Sequence, residues 1–480
     1  MMLFAYIVIC IYIFVLVQIT LFCLLQLHLL YHYQNKLARP ANNTVSALTN
    51  ENFPFVTIQL PVYNEMYVVE RLIDQIVQLD YPKERFEIHL LDDSTDETLH
   101  ITRRKVEEYT KKGFQIMQIT REKRTGYKAG ALRDGMAFAK GEFIAIFDAD
   151  FVPRPDFLKA TIPHFSNPKT GVVQTRWEHL NEDYSLLTRL QALQLNVHFT
   201  VEQTGRSAAN YFLQFNGTAG VWRKKTIEDA GGWEADTLTE DLDLSIRAQL
   251  KGWEIVYLEK FDSPAELPAD MNGLKSQQFR WMKGGAETAK KMLPAVWKSQ
   301  LSFSKKIHAT AHLLASSIFV FVFLAGVFSV PTLFILNRIE MDTHFFGYFF
   351  AGLFSIIAVY YVGNVQATLK KQPYLQRLFK FLILFPVFLS LSMGLSLHNS
   401  VAIVQGWIGK KTAFVRTPKF NIKGLQDSFS QRKYRNYRLS WTTIFEGVLT
   451  IYFLVAIVAG FYWEDRSFFI VSWVIGNRLW

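Results

Sequence analysis

Three observations predict an α/β domain inserted between transmembrane helices. Long apolar runs with almost no charge lie toward both ends of the 480-residue chain. Between them, over residues 54–300, short apolar strands alternate with stretches of helical periodicity. At the centre, the run Ile144-Ala-Ile-Phe-Asp-Ala-Asp150 reads as a strand covered on both faces that ends in two carboxylates. At the carboxyl end of a parallel strand, such side chains face the crevice where open α/β sheets bind ligands. Asp148 and Asp150 there suit a hard Mg²⁺ or Mn²⁺ shared with a diphosphate. Taken alone, the same two residues read equally well as a solvated strand-end turn.

Half of the residues are apolar and the formal charge is +10. The basic excess clusters at residues 34–39, 369–371, 410–411 and 432–438, each beside an apolar segment. That placement is a positive-inside signal and argues against a nucleic-acid surface. The two cysteines, Cys10 and Cys23, both fall in the first apolar run, which leaves no disulfide framework and no zinc site. Asn42-Asn-Thr44 and Asn216-Gly-Thr218 match the glycosylation pattern, but the charge pattern places both in the cytosol.

In chain order, residues 3–31 form the first span, with no basic residue before it and a basic cluster after it, so its amino end is expected outside. Residues 1–33 are this helix, 34–306 a cytosolic domain and 307–480 a membrane region. In the domain, strands are expected at Phe55–Leu60, Phe86–Leu91, Phe114–Ile119 and Phe143–Phe147, with helices at Val68–Leu79, Thr95–Tyr109 and Lys128–Ala139. The alternation implies a largely parallel sheet with helices on both faces, without a GxGxxG or P-loop signature. Spans follow at residues 308–336, 345–366 and 441–463. The run 379–408 is broken by Pro386, Gly394, His398 and Asn399 and has basic flanks on both sides, so it reads as an amphipathic helix at the cytosolic interface. Residues 467–480 are short for a further span.

The polar motifs sit at strand ends and helix starts. Asn64-Glu65 after the first strand can meet a base or ribose, or cap a helix. Asp92 and Asp93 end the second strand, aimed into the crevice. Lys128, at a helix amino end, is a natural partner for phosphate oxygens, though a lone lysine there is usually solvated. Asp241 in Thr239-Glu-Asp241 heads a helix and is either a cap or a general base. Gln277, Arg280 and Trp281 fall within about one helical turn. Arg280 could clamp a diphosphate and Trp281 could offer a sugar ring an apolar platform, against the plainer reading of a buried tryptophan beside a surface arginine.

The order of these motifs (NE, DDS, KAGAL, DAD, TED, QxxRW) resembles the processive, membrane-embedded family 2 glycosyltransferases of the cellulose-synthase-like group. The resemblance is dense over residues 54–300 and extends to Phe414-Val-Arg-Thr-Pro-Lys419, similar to the family's gating loop FxVTxK, with Arg416 in place of the valine. Gln174–Trp177, Phe215–Arg223, Ala230–Trp233 and Glu266–Pro268 resemble the plant A and C branches, which make mannan, glucomannan and xyloglucan backbones. The resemblance implies a GT-A-type nucleotide-sugar-binding domain and a gating-like loop at 409–438. It further implies that Asp92 and Asp93 bind the nucleoside end, Lys128 and Arg280 the diphosphate, Asp148 the nucleotide and Asp150 the metal. Asp241 is then the base, Gln277 and Trp281 hold the acceptor end, Phe215, Asn216 and Gly217 border the acceptor, and Thr417 and Lys419 close over the donor.

The implied reaction is inverting transfer of a hexose from UDP-glucose or GDP-mannose to a growing β-1,4-linked polysaccharide, with extrusion across the lipid bilayer. With Trp480 as the last residue, no cyclic-dinucleotide-binding domain is expected. Two other readings stand beside it: a non-processive transferase that glycosylates a lipid, and a transporter or membrane scaffold with a silent transferase domain.

Overall fold

The computed structural model describes residues 2–37, 53–339, 344–367, 372–422, 427 and 441–462. Among these residues seven strands form one sheet: β1 (Val56–Val62), β2 (Phe86–Asp92), β3 (Ile116–Ile119), β4 (Phe143–Ile146), β5 (Thr170–His179), β6 (Gly220–Arg223) and β7 (Glu254–Ala265). Their order is β3-β2-β1-β4-β6-β5-β7. β3, β2, β1 and β4 run parallel, as the strand–helix alternation predicts. β6 runs antiparallel to both β4 and β5, and β7 pairs parallel with β5.

The central strands are apolar on both sides because both faces are covered. Val56, Ile58, Leu60, Ala145 and Phe147 pack into one core with the helix Val69–Ile76. Ile144, Ile146, Trp222 and Leu244 pack into the second core on the opposite face. Between these layers the carboxyl ends of β1, β2 and β4 open together, and the polar turns that follow them form one cleft.

Among the described residues, five helices are long and apolar enough to cross a membrane: Met2–Leu37, Ala315–Leu336, His344–Gln366, Tyr374–Gly394 and Trp441–Val458. The segment expected as a single interfacial helix is two. The chain continues through Pro386 and breaks after Gly394, giving Tyr374–Gly394 and Ser396–Ile408. The first has the length and hydropathy of a span. The second packs along the helix Met271–Lys298, where a Cβ on Gly406 would come within 2.6 Å of the Lys283 carbonyl oxygen, so only glycine allows that approach. Residues 467–480 and most of 423–438 lie outside the described residues.

Candidate active site

Twelve of the fourteen residues named from the sequence gather around one cleft. Asp93, Lys128, Asp148, Asp150, Asn216, Gly217, Asp241, Gln277, Arg280, Trp281, Thr417 and Lys419 all line it. Asp92 and Phe215 do not. Asp92 is 1% exposed and turned into the domain, where it accepts hydrogen bonds from Thr102 Oγ1 (2.5 Å), Gln118 Nε2 (2.9 Å) and its own turn at Ser94 N (3.0 Å). On an extended strand successive side chains point to opposite sides, so only one of the two adjacent aspartates can face the crevice. Phe215 is fully buried and meets Trp222 edge-on in the second core.

At the end of β2, Asp93 is gripped by Arg121 through Nε (2.9 Å) and Nη2 (2.5 Å). Arg124 stacks on Tyr63 with its guanidinium carbon 3.4 Å from the ring centroid, and it also faces Tyr127 and Phe414.

At the end of β4, Lys128 Nζ donates to Asp148 Oδ1 at 2.5 Å and to the Gly217 carbonyl at 2.9 Å. Burial works against its charge, but Asp148, Glu240 and Asp241 outweigh that and raise its pKa. Asp150 Oδ2 accepts from Lys419 Nζ at 2.6 Å and from Glu266 N at 3.2 Å. Each carboxylate therefore already faces a cation. Two carboxylates in one polar cleft offer the oxygen ligands a hard divalent ion takes, so Asp148 and Asp150 could hold one. A second acidic group, Glu234, Asp236 and Asp243, is filled by the Lys291 ammonium at 2.6–3.0 Å.

Asp241 lies one residue inside the helix Glu240–Leu250, whose N-cap is Thr239. Its Oδ1 accepts from Leu242 N at 2.8 Å, while Oδ2 points at Gly217, where a Cβ would sit 3.0 Å away. Burial, then the neighbouring Glu240 carboxylate, push its pKa up to about 7. Gly217 takes φ +80°, which turns its carbonyl onto Lys128 beside this carboxylate.

The helix Met271–Lys298 is capped by Asp270 and carries Gln277, Arg280 and Trp281 to the same cleft. Arg280 Nη2 donates to Thr417 Oγ1 at 2.8 Å and its guanidinium covers the Phe414 ring at 4.6 Å. Burial lowers its pKa, opposed by Asp148 and Glu240. Segment 410–422 thus lies across the cleft like a strap. Arg416, the departure from the family loop, pairs with Glu65 at 3.0 Å. Burial pushes the Glu65 carboxyl up to about 8, against the pull of Arg416. Glu266 fastens the far end, accepting from Phe420 N at 2.8 Å and Ile422 N at 3.2 Å.

The motif reading assigned no site role to Glu240, Glu266 or Arg124. All three stand inside the motif stretches, Arg124 at the head of Arg124–Ala131, but nothing in a sequence says which neighbour of a polar residue faces the same cavity.

A family profile described as "Glycosyltransferase like family 2" matches residues 54–284. Among relatives, the chain is 42% identical over 294 residues to a probable glucomannan 4-beta-mannosyltransferase 6 of Oryza sativa subsp. japonica, covering 59% of this chain and 51% of that one. It is 44% identical over 262 residues to glucomannan 4-beta-mannosyltransferase 1 of the same organism (53% and 50% of the two chains). It is 42% identical over 267 residues to glucomannan 4-beta-mannosyltransferase 2 of Arabidopsis thaliana (54% and 50%). The chain spans about half the length of these relatives. In fold it is similar to a mannosyltransferase of Pyrobaculum calidifontis solved with GDP-Man and Mn²⁺, with a TM-score of 0.51 and 20% identity, over 73% of this chain and 100% of that one. The motif order, the sheet and these relatives converge: residues 54–284 match the family 2 glycosyltransferase-like profile, and the chain is similar to plant glucomannan 4-beta-mannosyltransferases at 42–44% identity over 262–294 residues.

Proposed function

We propose that this protein is a membrane-embedded inverting hexosyltransferase that extends a β-1,4-linked polysaccharide, a mannan or glucomannan. The observation that carries the reading is the meeting, in one cleft, of Asp241, the Lys128–Asp148 pair and the Gln277–Trp281 turn. Relatives named as glucomannan 4-beta-mannosyltransferases, and a fold neighbour solved with GDP-Man, favour GDP-mannose over UDP-glucose as the donor.

In this reading the nucleoside end lies by Asp93, Tyr63 and Arg124, and the diphosphate between Lys128 and Arg280. A divalent cation on Asp150 and Asp148 would offset charge on the departing diphosphate. Lys128 and Arg280 add two fixed positive charges there, preorganised by Asp148 and Thr417. Asp241, its pKa raised by burial and by Glu240, takes in its ionised form the proton from the acceptor hydroxyl as that oxygen attacks the anomeric carbon. Trp281 gives the acceptor ring an apolar platform, and Gln277 a hydrogen-bonding partner. The strap keeps water off the donor once the nucleotide sugar replaces its ion pairs with Asp150 and Glu65. Among the described residues, five helices long and apolar enough to cross a membrane suit a chain that delivers its product across the bilayer.

The test is a donor panel (GDP-mannose, UDP-glucose, UDP-N-acetylglucosamine) on the purified full chain in liposomes, with linkage analysis of the product. A β-1,4-linked mannose-containing polymer is expected. A single sugar on a lipid would overturn the polymer reading, and no transfer from any donor would overturn the enzyme reading.

A further inference from the structure

Resting on the reading of the cleft as a transferase site, we propose that His198 and Glu202 are positioning residues that aim the Asn216 amide at the acceptor sugar. Asn216 lines the cleft next to Gly217, against which the Asp241 carboxylate is set. Its side chain is 92% buried by the 8% exposure that remains, yet Nδ2 has no hydrogen-bond partner. Buried amide donors are nearly always satisfied, so one left unspent in the wall of a binding cleft points to a ligand.

The other end of the amide is fully engaged. Oδ1 accepts from Gln214 Nε2 at 2.9 Å and lies 3.0 Å from His198 Nε2. The backbone N–H of Asn216 is separately fixed, donating to Gln174 Oε1 at 2.9 Å. Glu202 and Oδ1 are both acceptors, so the ring holds both only with an N–H on each nitrogen; with that bond beside the one from Gln214, the amide is kept from rotating and Nδ2 holds one direction. His198 does not reach the cleft. Its Nδ1 meets Glu202 Oε2 at 2.9 Å, and Glu202 is itself 3.5 Å from Arg206 Nη1. Burial disfavours the Glu202 charge, but Arg206 and His198 overcome this and hold its pKa down to about 2, so the anchor of the relay is a fixed carboxylate.

A second observation sets this stretch apart from ordinary packing. His198–Glu202 is one π-helical turn between the α-helices Leu186–Val197 and Gln203–Ala208. Such wide turns cost regular helix geometry and recur at functional sites. Here the turn presents His198 to Asn216 and Glu202 to His198 from the same side. The ligand recognised is a hydroxyl-bearing sugar, since an amide N–H₂ donates to a hydroxyl or ring oxygen, and the position beside Asp241 makes that sugar the acceptor rather than the nucleotide.

The experiment is a double-mutant cycle in the full-length chain with His198→Ala, Asn216→Ala and the pair. It reads acceptor KM and kcat with a short β-1,4-linked hexose oligosaccharide, and GDP affinity by calorimetry. Each single variant is expected to lower kcat/KM for the acceptor by roughly 10- to 100-fold, the scale of a misplaced contact. GDP affinity should stay at the parent value. The double variant should be no worse than Asn216→Ala alone, because His198 acts only through Asn216. His198→Gln, which keeps an N–H toward Oδ1, should recover most of the loss and covers the case in which His198→Ala fails to fold. Additive losses in the pair, or an equal fall in GDP affinity, would overturn the relay. A parent chain without transferase activity would instead remove the functional reading beneath it.

Discussion

Replacing Asp241 by Asn separates chemistry from packing at a single atom. The Asn carbonyl oxygen keeps the 2.8 Å bond to Leu242 N, and the N-cap position belongs to Thr239, so no capping bond is lost. What goes is one negative charge in the first turn of a helix, a loss of about 0.3–1 kcal/mol. Relief of the repulsion from Glu240 offsets it. The melting temperature should therefore move by a few degrees at most. The groups around the donor, Asp93, Lys128, Asp150 and Arg280, are untouched, so nucleotide affinity should hold. The proton acceptor beside Gly217 is gone, and general-base catalysis is typically worth ~10²–10⁴-fold. The assay measures initial transfer rate, GDP affinity and thermal unfolding on one preparation. A variant that turns over within a few-fold of the parent would show that Asp241 serves only the helix and that another group takes the proton.

Because Asp241 must be ionised to act, and its pKa is pushed up to about 7, transfer should rise with pH through that value, and the limb should be missing from residual Asp241→Asn activity. The same upward shift contributes stability that is present below the ordinary value of 3.8 and lost as pH rises through about 7. Lys419→Met removes the ammonium from Asp150 and should tighten Mn²⁺ binding to the donor-free chain about ten-fold, the scale of one charge-assisted hydrogen bond; unchanged affinity by paramagnetic resonance would place the ion elsewhere. Glu266→Gln weakens the grip on Phe420 and Ile422, so tryptic cleavage after Lys419 should quicken about ten-fold, and an unaltered rate would show that the strap is held by its other contacts. Asp243 is fully buried and pairs with Arg247 (2.7 Å) and Lys291 (3.0 Å); Lys291 keeps Glu234 and Asp236 and Arg247 keeps the Gly232 carbonyl, so Asp243→Ala should cost roughly 1.5–3 kcal/mol, the scale of a lost charge-assisted hydrogen bond, and a near-parental melting temperature would contradict it.

The sequence by itself determined the class of the fold and the location of most of the site. Strand and helix periodicities are local, and in a sheet covered on both faces the strand cores are continuous apolar runs, so β1, β2 and β4 were legible as they stand. Polar residues just beyond such strands face the crevice, which is why Asp93, Asp148 and Asp150 could be gathered before any coordinates, with Lys128 added from its helix amino end. Tertiary structure alone decided the rest. The antiparallel insertion of β6 depends on partners that periodicity does not encode. Of two adjacent aspartates, strand register turned Asp92 into the domain and left Asp93 in the cleft. The run 379–408 looked like one helix because hydropathy ignores backbone breaks; the chain divides it after Gly394, where the second half turns onto the helix of Gln277. The relay from Glu202 through His198 to Asn216 crosses only 18 residues from His198 to its target, yet no sequence pattern announces it, because it exists only once a π-helical turn and the β6 approach are folded against each other. Local chemistry is written in the order of residues. Which groups share a hydrogen bond is set by packing between elements, and that is a property of the whole chain.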